Sequence, residues 1–439
     1  MTISELYSLY LQHPTVTTDS RTCPPGSIFF ALKGESFDGN TFAEKALLSG
    51  CAYAVVDDAS VARDNRMILV DDVLNTLQQV AYIHRKTLGI PVIGITGTNG
   101  KTTTKELTAA VLSQKYNTLY TLGNLNNHIG VPLTLLRLTS EHEIAVIEMG
   151  ANHPGEIDAL ANIAYPDYGL ITNVGYAHLE GFGSFEGVIK TKGELYDFLR
   201  KTNGSVFINQ DNEYLTGIAG NLKKITYGEM ASVKNPAPAN NPVPFIGGKI
   251  SNRHPFFSFQ WQQQGKVTQN VHTNLIGDYN LWNALAAITI GVHFGVAPEQ
   301  INNAIETYEP TNNRSQLKRT KQNELIIDAY NANPSSMHAA LENFAAMQSF
   351  PKAVILGDMR ELGEKSPELH ADIVKQIKNY GFDKVLLCGE QFSEAGQTYT
   401  CFPSVEKLNE YLENNPLQGY HILIKGSHGI HLEKTIDKL

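Results

Sequence analysis

Cysteine is scarce in this sequence of 439 residues, and the few that occur lie far apart. They are Cys23, Cys51, Cys388 and Cys401, and no two of them form a C-x-x-C pair. This spacing excludes the common disulfide and zinc frameworks. We therefore expect buried thiols in a reducing compartment.

Long hydrophobic runs are missing as well. No apolar stretch approaches the roughly 18 residues that a membrane-spanning helix needs. Residues 1–14 lack the basic stretch and apolar core of a secretory signal. These absences predict a cytoplasmic protein that does not insert into a membrane.

Positive charge is not in excess either. The sequence has 35 Lys and Arg against 44 Asp and Glu, a formal net charge of -9. This balance argues against a protein that mainly coats nucleic acid or anionic lipid. With 42% apolar and 18% charged residues, the composition is that of a folded protein. At about 150 residues per domain, the length allows roughly three domains.

Short β-rich runs alternate with longer amphipathic stretches, which is the pattern of parallel sheets with crossover helices. Strands are predicted over residues 27–32, 52–56, 67–70, 92–96, 144–148, 169–172, 205–208, 325–327, 353–356, 385–387 and 422–424. Helices are predicted over 73–88, 187–199 and 280–291. The Asn- and Pro-rich stretch 230–248 is predicted to be a surface insertion or hairpin loop.

The last four predicted strands share a feature at their ends. Polar or glycine residues stand at or just beyond these ends: Asp328, Gly357-Asp358, Gly389 and Lys425-Gly426-Ser427. Open α/β sheets bind ligands beyond the carboxyl ends of their strands, so these ends predict a second ligand-facing edge. Turn formation alone is the alternative for any single strand.

Residues 97–102 read G-T-N-G-K-T between a predicted strand and a predicted helix. In that setting, backbone amides and the helix N-terminus cradle phosphate groups. Lys101 would neutralise the terminal phosphates, and the Thr102 hydroxyl would bind Mg²⁺. Ile95 stands where the general pattern G-x-x-x-x-G-K-[ST] has glycine, but the strand–loop–helix context still predicts phosphate binding.

Glu148, His178 and Lys192 are candidate site residues that gain weight only together. Glu148 ends a predicted buried strand, and a buried carboxylate needs a partner such as Mg²⁺. Taken singly, the three residues have ordinary alternatives: a strand-end carboxylate facing water, a loop histidine and a solvated lysine.

Taken together, the motifs resemble those of the Mur ligases, ATP-dependent enzymes that form amide bonds in peptidoglycan synthesis. The segments that carry the resemblance run through the whole chain: T-G-T-N-G-K-T-T (96–103), G-N-L-N-N-H-I-G-V-P-L-T (123–134), I-E-M-G-A (147–151), T-N-V-G-Y-A-H-L-E-G-F-G (172–183), D-A-Y-N-A-N-P (328–334), L-G-D-M-R-E-L-G (356–363) and K-G-S-H-G (425–429). Ile95 is usual in this family. Two departures are His428, where the family often has Arg, and Asn312-Asn313, where a glycine is common.

The resemblance implies an α/β protein of three domains. Residues 1–88 would form an N-terminal α/β domain that binds a UDP-sugar, and residues 89–310 a central P-loop, parallel-sheet ATPase domain. Residues 311–439 would form a C-terminal Rossmann-like ligase domain. The segments 123–134, 328–334 and 356–363 resemble the family branch that adds a D-alanyl-D-alanine dipeptide.

The resemblance also implies a mechanism. ATP would phosphorylate the terminal carboxylate of UDP-N-acetylmuramoyl-tripeptide, and the amine of D-alanyl-D-alanine would attack the acyl phosphate. The implied cofactors are two Mg²⁺ ions, the first held by Thr102 and Glu148 and the second by His178 and a carbamylated Lys192. The implied catalytic residues are Lys101, His178, Lys192 and Asn331. We expect a monomer with these two small-molecule partners and no nucleic acid.

Binding residues follow from the same resemblance. Those for ATP are Gly97, Thr98, Asn99, Gly100, Lys101, Thr102, Thr103, Asn280, Asn283, Arg314 and Asp328. Those for the UDP-sugar end are Ser20, Arg21, Lys33, Asp38 and Asn40, and those near the dipeptide are Tyr330, Asn331 and Ser427. Turn formation alone also explains Asp38-Gly39, and Asn333-Pro334 independently predicts a helix N-terminus.

Two other functions stay open at this point. Folylpolyglutamate synthetase shares the loop and the chemistry, but it should lack the motifs at 328–334 and 356–363. A nucleotide-binding regulator without chemistry would need only the loop, although the guanine-reading sequence Asn-Lys-x-Asp of a GTPase switch is absent. No motif reads the third residue of the tripeptide, so diaminopimelate and lysine are both open.

Overall fold

The structure is a computed structural model that describes residues 1–230, 246–253, 256–311, 313–348 and 351–439. Three main sheets, each with its own helices, follow one another along the chain and give a three-domain α/β fold. In these described ranges, no helix has both the length and the apolar character needed to cross a bilayer.

The first domain is built on four parallel strands in the order β1-β2-β5-β6, beside a two-stranded hairpin of β3 and β4. Its strands are β1 (Val16–Thr17), β2 (Ile28–Phe30), β3 (Lys33–Gly34), β4 (Phe37–Asp38), β5 (Tyr53–Val56) and β6 (Met67–Leu69). Its helices are α1 (Ile3–Gln12), α2 (Ala43–Leu48) and α3 (Val73–Leu88). Helix α3 has the predicted bounds because the Asp72 side chain caps its first turn and left-handed Gly89 ends it.

The central domain has a nine-stranded sheet in the order β15-β14-β13-β12-β11-β10-β7-β9-β8. Its strands are β7 (Val92–Thr96), β8 (Thr118–Tyr120), β9 (Ile144–Glu148), β10 (Tyr168–Ile171), β11 (Ser205–Asn209), β12 (Lys223–Glu229), β13 (Ile246–Asn252), β14 (Ser258–Gln263) and β15 (Gln269–His272). Its helices are α4 (Lys101–Leu112), α5 (Gly130–Leu135), α6 (Glu156–Ala164), α7 (Leu179–Phe182), α8 (Phe185–Thr202), α9 (Glu213–Ala219), α10 (Asn280–His293) and α11 (Pro298–Glu306).

The third domain has a six-stranded sheet in the order β16-β17-β21-β18-β19-β20, parallel except for edge strand β16. Its strands are β16 (Gln316–Arg319), β17 (Glu324–Asp328), β18 (Lys352–Gly357), β19 (Lys384–Cys388), β20 (Thr400–Phe402) and β21 (His421–Lys425). Its helices are α12 (Pro334–Ala346), α13 (Ser366–Tyr380), α14 (Glu390–Ala395) and α15 (Val405–Asn414).

Each predicted strand exists, with ends shifted by at most two residues, and the three predicted helices exist as α3, α8 and α10. The predicted parallel sheet of the central domain is confirmed for β7 to β13, and β14 and β15 add an antiparallel edge to it. The links beside β14 are too short for the crossover helix that parallel pairing needs.

The prediction of a loop over 230–248 was wrong for its last three residues, since Ile246 to Gly248 begin β13. Its residues 231–245 lie outside the described part of the chain. Cys51 and Cys388 are buried free thiols, as predicted. Cys23 and Cys401 are also free thiols but only half-buried, so the prediction of burial was wrong for them.

The first and central domains share a hydrophobic core that runs from α1 and α3 to α5 and α6. Buried polar groups cross the same junction. The Tyr10 hydroxyl donates to the carbonyl of Leu136 at 2.7 Å, and His84 Nε2 lies 2.9 Å from the carbonyl oxygen of Leu138. This shared core holds the first domain against one face of the central domain.

Arg85, near the end of α3, fixes the same junction. Its side chain is 4% exposed. Nε donates to the carbonyl of Ala164 at 3.1 Å, and Nη2 donates to that of Tyr165 at 3.0 Å. Nη2 also pairs with Asp167 at 2.8 Å. Arg85 thus satisfies carbonyls at the C-terminus of α6, which have no partner within their own helix.

We expect Arg85→Ala to lower the free energy of unfolding by roughly 2 kcal/mol, because it leaves buried carbonyls without donors. Thermal unfolding of the full chain measures the loss. Arg63→Ala, a change at an exposed arginine, should have almost no effect. Equal stability of the two variants would contradict the role given to Arg85.

We propose domain limits at 1–88, 89–310 and 311–439. Helix α3 ends at Leu88 and the central sheet starts at Val92. The last helix before the second limit, α11, ends at Glu306, and the third sheet starts at Gln316. Both limits therefore fall in connections between sheets.

Candidate active site

Strand order places a crevice at the carboxyl end of β7. From β7 the chain crosses to β8 and β9 on one side and later returns to β10 on the other. Ligands of open α/β sheets bind at such a switch point. A cavity of about 780 Å³ lies there, lined by central-domain residues such as Lys101 and Glu148 and by C-terminal residues such as Arg314 and Asp328.

The loop between β7 and α4 has backbone geometry that requires glycine at two positions. Gly97 has φ +139°, and a Cβ there would lie 2.1 Å from Oγ1 of Thr172. Gly100 has φ +78°, and a Cβ there would lie 2.4 Å from Oδ1 of Asn283. Side chains at either position would therefore push the loop away from β10 or α10.

Neighbouring elements hold the loop in place. The amides of Thr98 and Asn99 donate to the carbonyl and the Oδ1 of Asn173, at 2.9 and 3.0 Å. Asn333 Nδ2, from the C-terminal domain, donates to Asn99 Oδ1 at 2.8 Å. Asn333 also caps α12, ahead of proline at the first turn, as the sequence predicted. The two domains thus meet directly at the loop.

The side chain of Lys101 folds back over the loop that precedes it. Its Nζ donates to the carbonyls of Gly97 at 2.9 Å and Thr98 at 3.1 Å. Burial lowers the pKa of Lys101 to about 8, the charge of Glu148 opposes this shift, and that of Arg314 adds to it. The ammonium group therefore stands at the loop that the sequence predicted to hold phosphate.

Oxygen donors suited to Mg²⁺ lie beside the loop. Glu148 Oε1 accepts hydrogen bonds from Thr102 Oγ1 at 3.1 Å and from Asn126 Nδ2 at 2.8 Å. Glu148 Oε2 is buried and has no hydrogen-bond partner within the described residues. The fully buried ammonium of Lys105 lies 3.8 Å from it. A buried carboxylate oxygen beside a hydroxyl fits the hard-oxygen preference of Mg²⁺.

Lys192, on α8, is 1% exposed and does not line the cavity. Its Nζ donates to the carbonyl of Ala151 at 3.1 Å and lies 5.0 Å from the ring centre of Phe182. Burial lowers the pKa of Lys192 well below its usual value, and the charge of Lys101 adds to the shift. An amine is a poor ligand for Mg²⁺, so these residues fit a second ion only if Lys192 carries oxygens.

His178, at the N-terminus of α7, lines the cavity. Its Nδ1 pairs with the carboxylate of Glu361 from the C-terminal domain. The hydrogen bond from His178 lowers the pKa of Glu361. The imidazole is therefore held from outside its own domain.

Asn280 and Asn283 lie on the first turn of α10 and line the cavity. Asn283 Oδ1 accepts from Thr104 Oγ1 at 3.1 Å, and its Nδ2 donates to Asn280 Oδ1 at 2.8 Å. Asn280 Nδ2 donates to the carbonyl of Ile276 at 2.8 Å. This buried chain of hydrogen bonds locks α10 against α4 beside the loop.

C-terminal side chains close the opposite wall. Arg314 stacks its guanidinium 4.1 Å from the ring centre of Tyr330. Asp328 pairs with the buried Lys425 at 2.5 Å, and Lys425 also donates to the carbonyl of Asn331 at 3.2 Å. All five side chains line the cavity.

The other predicted binding residues lie elsewhere. Ser427 is buried, does not line the cavity, and accepts from the amide of Arg360 at 3.0 Å. Ser20, Arg21, Lys33, Asp38 and Asn40 are in the first domain, outside the cavity. Arg21 is 83% exposed and pairs with Asp19.

Asn40 differs from the exposed residues of this group. It is 2% exposed, and its Nδ2 donates to Asp38 and Asp57 while its Oδ1 accepts from the amide of Asp57. Lys33 pairs with Asp57 at 2.8 Å. Asn40 and Asp38 therefore shape the turn, and Lys33 and Arg21 are the accessible cations.

The structure thus brings together the predicted loop, Glu148, His178, Arg314 and two of the three dipeptide candidates, Tyr330 and Asn331. Sequence reasoning gave no role to Asn126, Lys105 and Glu361. Asn126 lies in a motif that the sequence singled out, and Lys105 shares a helix face with Lys101 four residues earlier. Glu361 and His178 are far apart in the sequence and come into contact only in the folded protein.

A phosphate-binding loop at a sheet switch point, with carboxylate and hydroxyl donors and a wall from a second domain, defines the class of P-loop nucleotide-dependent enzymes. Three family models match the chain: "Mur ligase family, catalytic domain" over residues 14–87, "Mur ligase middle domain" over 95–291 and "Mur ligase, glutamate ligase domain" over 313–428. The chain belongs to the Mur ligase family.

Individual relatives are similar over nearly the whole chain. The UDP-N-acetylmuramoyl-tripeptide–D-alanyl-D-alanine ligase of Escherichia coli is 36% identical, over 99% of this chain and 95% of its own. The crystal structure of MurF from Acinetobacter baumannii has 30% identity and a TM-score of 0.85, with 97% of this chain and 93% of its own covered. MurF ligase from Thermotoga maritima in complex with ADP has 25% identity and a TM-score of 0.84, with 98% and 97% covered.

Proposed function

We propose that this chain joins D-alanyl-D-alanine to UDP-N-acetylmuramoyl-tripeptide in peptidoglycan synthesis, with hydrolysis of ATP to ADP and phosphate. The observation that carries the proposal is the loop at 97–102 beside Glu148, in a cavity that Arg314 and Asp328 of another domain complete. A nucleotide-binding regulator would not need the wall that the second domain contributes to the cavity. The relatives that carry this ligase name support the choice of substrates.

The reaction has two steps. A carboxylate oxygen of the tripeptide attacks the γ-phosphorus of ATP, ADP leaves, and an acyl phosphate forms. The amine of the dipeptide then attacks the acyl carbon, the tetrahedral intermediate loses phosphate, and the nitrogen loses a proton. An amide and free phosphate result.

Charge neutralisation is the main task of the residues in the first step. Two unit charges 4 Å apart repel by about 1 kcal/mol in water but by about 4 kcal/mol near a protein surface. Lys101 lies at the loop, and Arg314 on the facing wall, where they offset the charge of the phosphates. The loop amides and the N-terminus of α4 add positive potential from the same side.

Thr102 and Glu148 would hold one Mg²⁺ ion, and His178 with a carbamylated Lys192 would hold a second. Such ions, when bound, neutralise the phosphates and polarise the transferring group. Lys192 is fully buried, which disfavours its ammonium form and leaves a neutral amine that can react with CO₂. The carbamate supplies the anionic oxygens that the second site otherwise lacks.

The remaining residues divide between the two substrates. Gly97 to Thr103 hold the phosphates of ATP, with Asn280 and Asn283 on the adenine side. The residues on the dipeptide side would be Tyr330, Asn331 and Ser427. Ser427 does not line the cavity and would act through its contact with Arg360.

In the first domain, Ser20, Arg21 and Lys33 would bind the UDP end, while Asp38 and Asn40 shape the turn. The protein would act as a monomer in the cytoplasm, a reducing compartment that suits four free thiols.

A substrate panel tests the proposal. Each UDP-N-acetylmuramoyl-tripeptide, with diaminopimelate or lysine as third residue, is combined with D-alanyl-D-alanine, D-alanine or L-alanine, and phosphate release and product mass are followed. We expect release only when a tripeptide nucleotide and the dipeptide are both present. A folate substrate with glutamate serves as the control for the related ligase. Phosphate release that ignores both substrates would instead identify a regulator.

A further inference from the structure

The segment L-G-D-M-R-E-L-G at 356–363 marks the dipeptide-adding branch in the sequence, yet none of the residues predicted for the site lies in it. Two of its side chains have structural roles. Asp358 accepts from the amides of Gln391 and Phe392 at 3.0 and 2.9 Å and so caps α14. Arg360 donates to the carbonyl of Gly429 at 3.1 Å. Glu361 differs, because its side chain contacts a residue of the central domain.

Glu361 meets the central domain at the start of α7. Its carboxylate contacts Nδ1 of His178, and its carbonyl accepts from the amide of Glu180 at 3.3 Å. Both Glu361, at φ +62°, and His178, at φ +50°, have left-handed backbone conformations. Non-glycine residues adopt this conformation only when surrounding contacts hold them there. Here the two strained residues hold each other across the domain junction.

The chemistry of the contact indicates a purpose. A histidine that binds a metal through one ring nitrogen usually donates its other N–H to a carboxylate, which fixes the tautomer and the orientation of the ring. The Glu361 carboxylate contacts Nδ1 of His178, which is buried and has no other partner within the described residues. A proton held on Nδ1 by this carboxylate would leave the lone pair of Nε2 free on a ring that lines the cavity. The pair supplies the carboxylate and the histidine of a carboxylate–histidine–metal triad.

We propose that Glu361 is a positioning residue that acts across the domain junction: it holds His178 in the tautomer that presents Nε2 to the second Mg²⁺. The proposal rests on the proposed function for the identity of that ion. Because the carboxylate belongs to the C-terminal domain, His178 is oriented only while that domain is docked on the central one. Domain docking and metal binding are thereby linked through a single side-chain pair.

The tautomer of His178 gives a direct test that needs no turnover. Full-length protein labelled with ¹⁵N-histidine is studied by NMR near pH 8, and the signal of His178 is assigned from its loss in His178→Gln. We expect the Nδ1–H tautomer in the wild type and in Glu364→Gln, a control at an exposed carboxylate that directly follows the segment. We expect a shift toward the Nε2–H tautomer in Glu361→Ala. An unchanged tautomer in that variant would overturn the proposal.

Metal affinity gives the second readout. Mn²⁺ is titrated by electron paramagnetic resonance in the presence of a non-hydrolysable ATP analogue. In Glu361→Ala, loss of the carboxylate should lower the Mn²⁺ affinity of the weaker site by about 10- to 100-fold. The Mn²⁺ affinity of the first site should not change. Glu361→Gln keeps an oxygen that can accept from Nδ1–H, so it should recover part of the loss and keep the wild-type tautomer.

If Glu361→Ala does not fold, Glu361→Gln decides: retention of the wild-type tautomer supports the proposal, and the opposite tautomer overturns it. Equal Mn²⁺ affinity in Glu361→Ala and Glu364→Gln would also overturn it. If the wild type formed no amide, the proposed function would fail, while the tautomer comparison would still report on Glu361.

Discussion

Replacing Lys101 by methionine is expected to lower kcat for amide formation by at least about 10³-fold. The lysine is held at the loop by the carbonyls of Gly97 and Thr98, so it needs little reorganisation to meet a phosphate. Its charge matters most when the carboxylate and the γ-phosphate approach, since that is when negative charge is concentrated in the cavity. Methionine keeps the length and the apolar stem but removes the charge.

The measurement is steady-state phosphate release with both substrates saturating. Lys115→Met is the control, because this lysine is exposed just beyond the end of the same helix. Its kcat should equal that of the wild type, and both variants should have wild-type circular dichroism spectra. A Lys101→Met enzyme with normal kcat would exclude the role assigned to this lysine.

The second large effect is expected for Lys192→Ala, with a fall in kcat of about 10²- to 10³-fold. The neutral amine forms a nitrogen–carbon bond with CO₂ and releases one proton to solvent, which converts a group unable to bind Mg²⁺ into an anionic oxygen ligand. A buried lysine that only supported packing would tolerate removal of its charge much better. Lys192→Met distinguishes these cases, since it keeps the packing and loses the carbamate, and it should be as inactive as Lys192→Ala.

Carbamylation can be observed apart from activity. Protein equilibrated with ¹³C-bicarbonate should give a carbamate carbon signal by NMR that is missing in Lys192→Ala. Lys190→Met, a change at an exposed lysine two residues earlier, should keep both the signal and the activity. Normal activity in Lys192→Ala, or the same carbon signal in that variant, would rule out the carbamate.

Local sequence signals were enough to locate the loop, its glycines and the strand that ends in Glu148. The loop is specified by residues adjacent in the chain, and its left-handed glycines follow from a turn that approaches Thr172 and Asn283 too closely for a Cβ. The bounds of α3 were equally readable, because its capping residues are its immediate neighbours. Such features depend on few long-range contacts.

Other parts of the site depend on tertiary packing that no local pattern encodes. The contact of Glu361 with His178 joins segments of two domains, and neither residue carries a local sign of the other. Asn40 lies in a polar motif that suggested a ligand, yet the fold buries it and satisfies it with Asp57. Strands β14 and β15, which form the antiparallel edge of the central sheet, were not predicted because most of their residues are polar.

Transfer of oxygen isotope tests the central claim most directly, that the loop brings a phosphoryl group and a carboxylate together. The tripeptide nucleotide is labelled with ¹⁸O in its terminal carboxylate and incubated with ATP, Mg²⁺ and D-alanyl-D-alanine. An acyl phosphate intermediate predicts that each phosphate released carries one ¹⁸O atom from the substrate. Unlabelled phosphate, formed at the same rate as amide, would contradict the account.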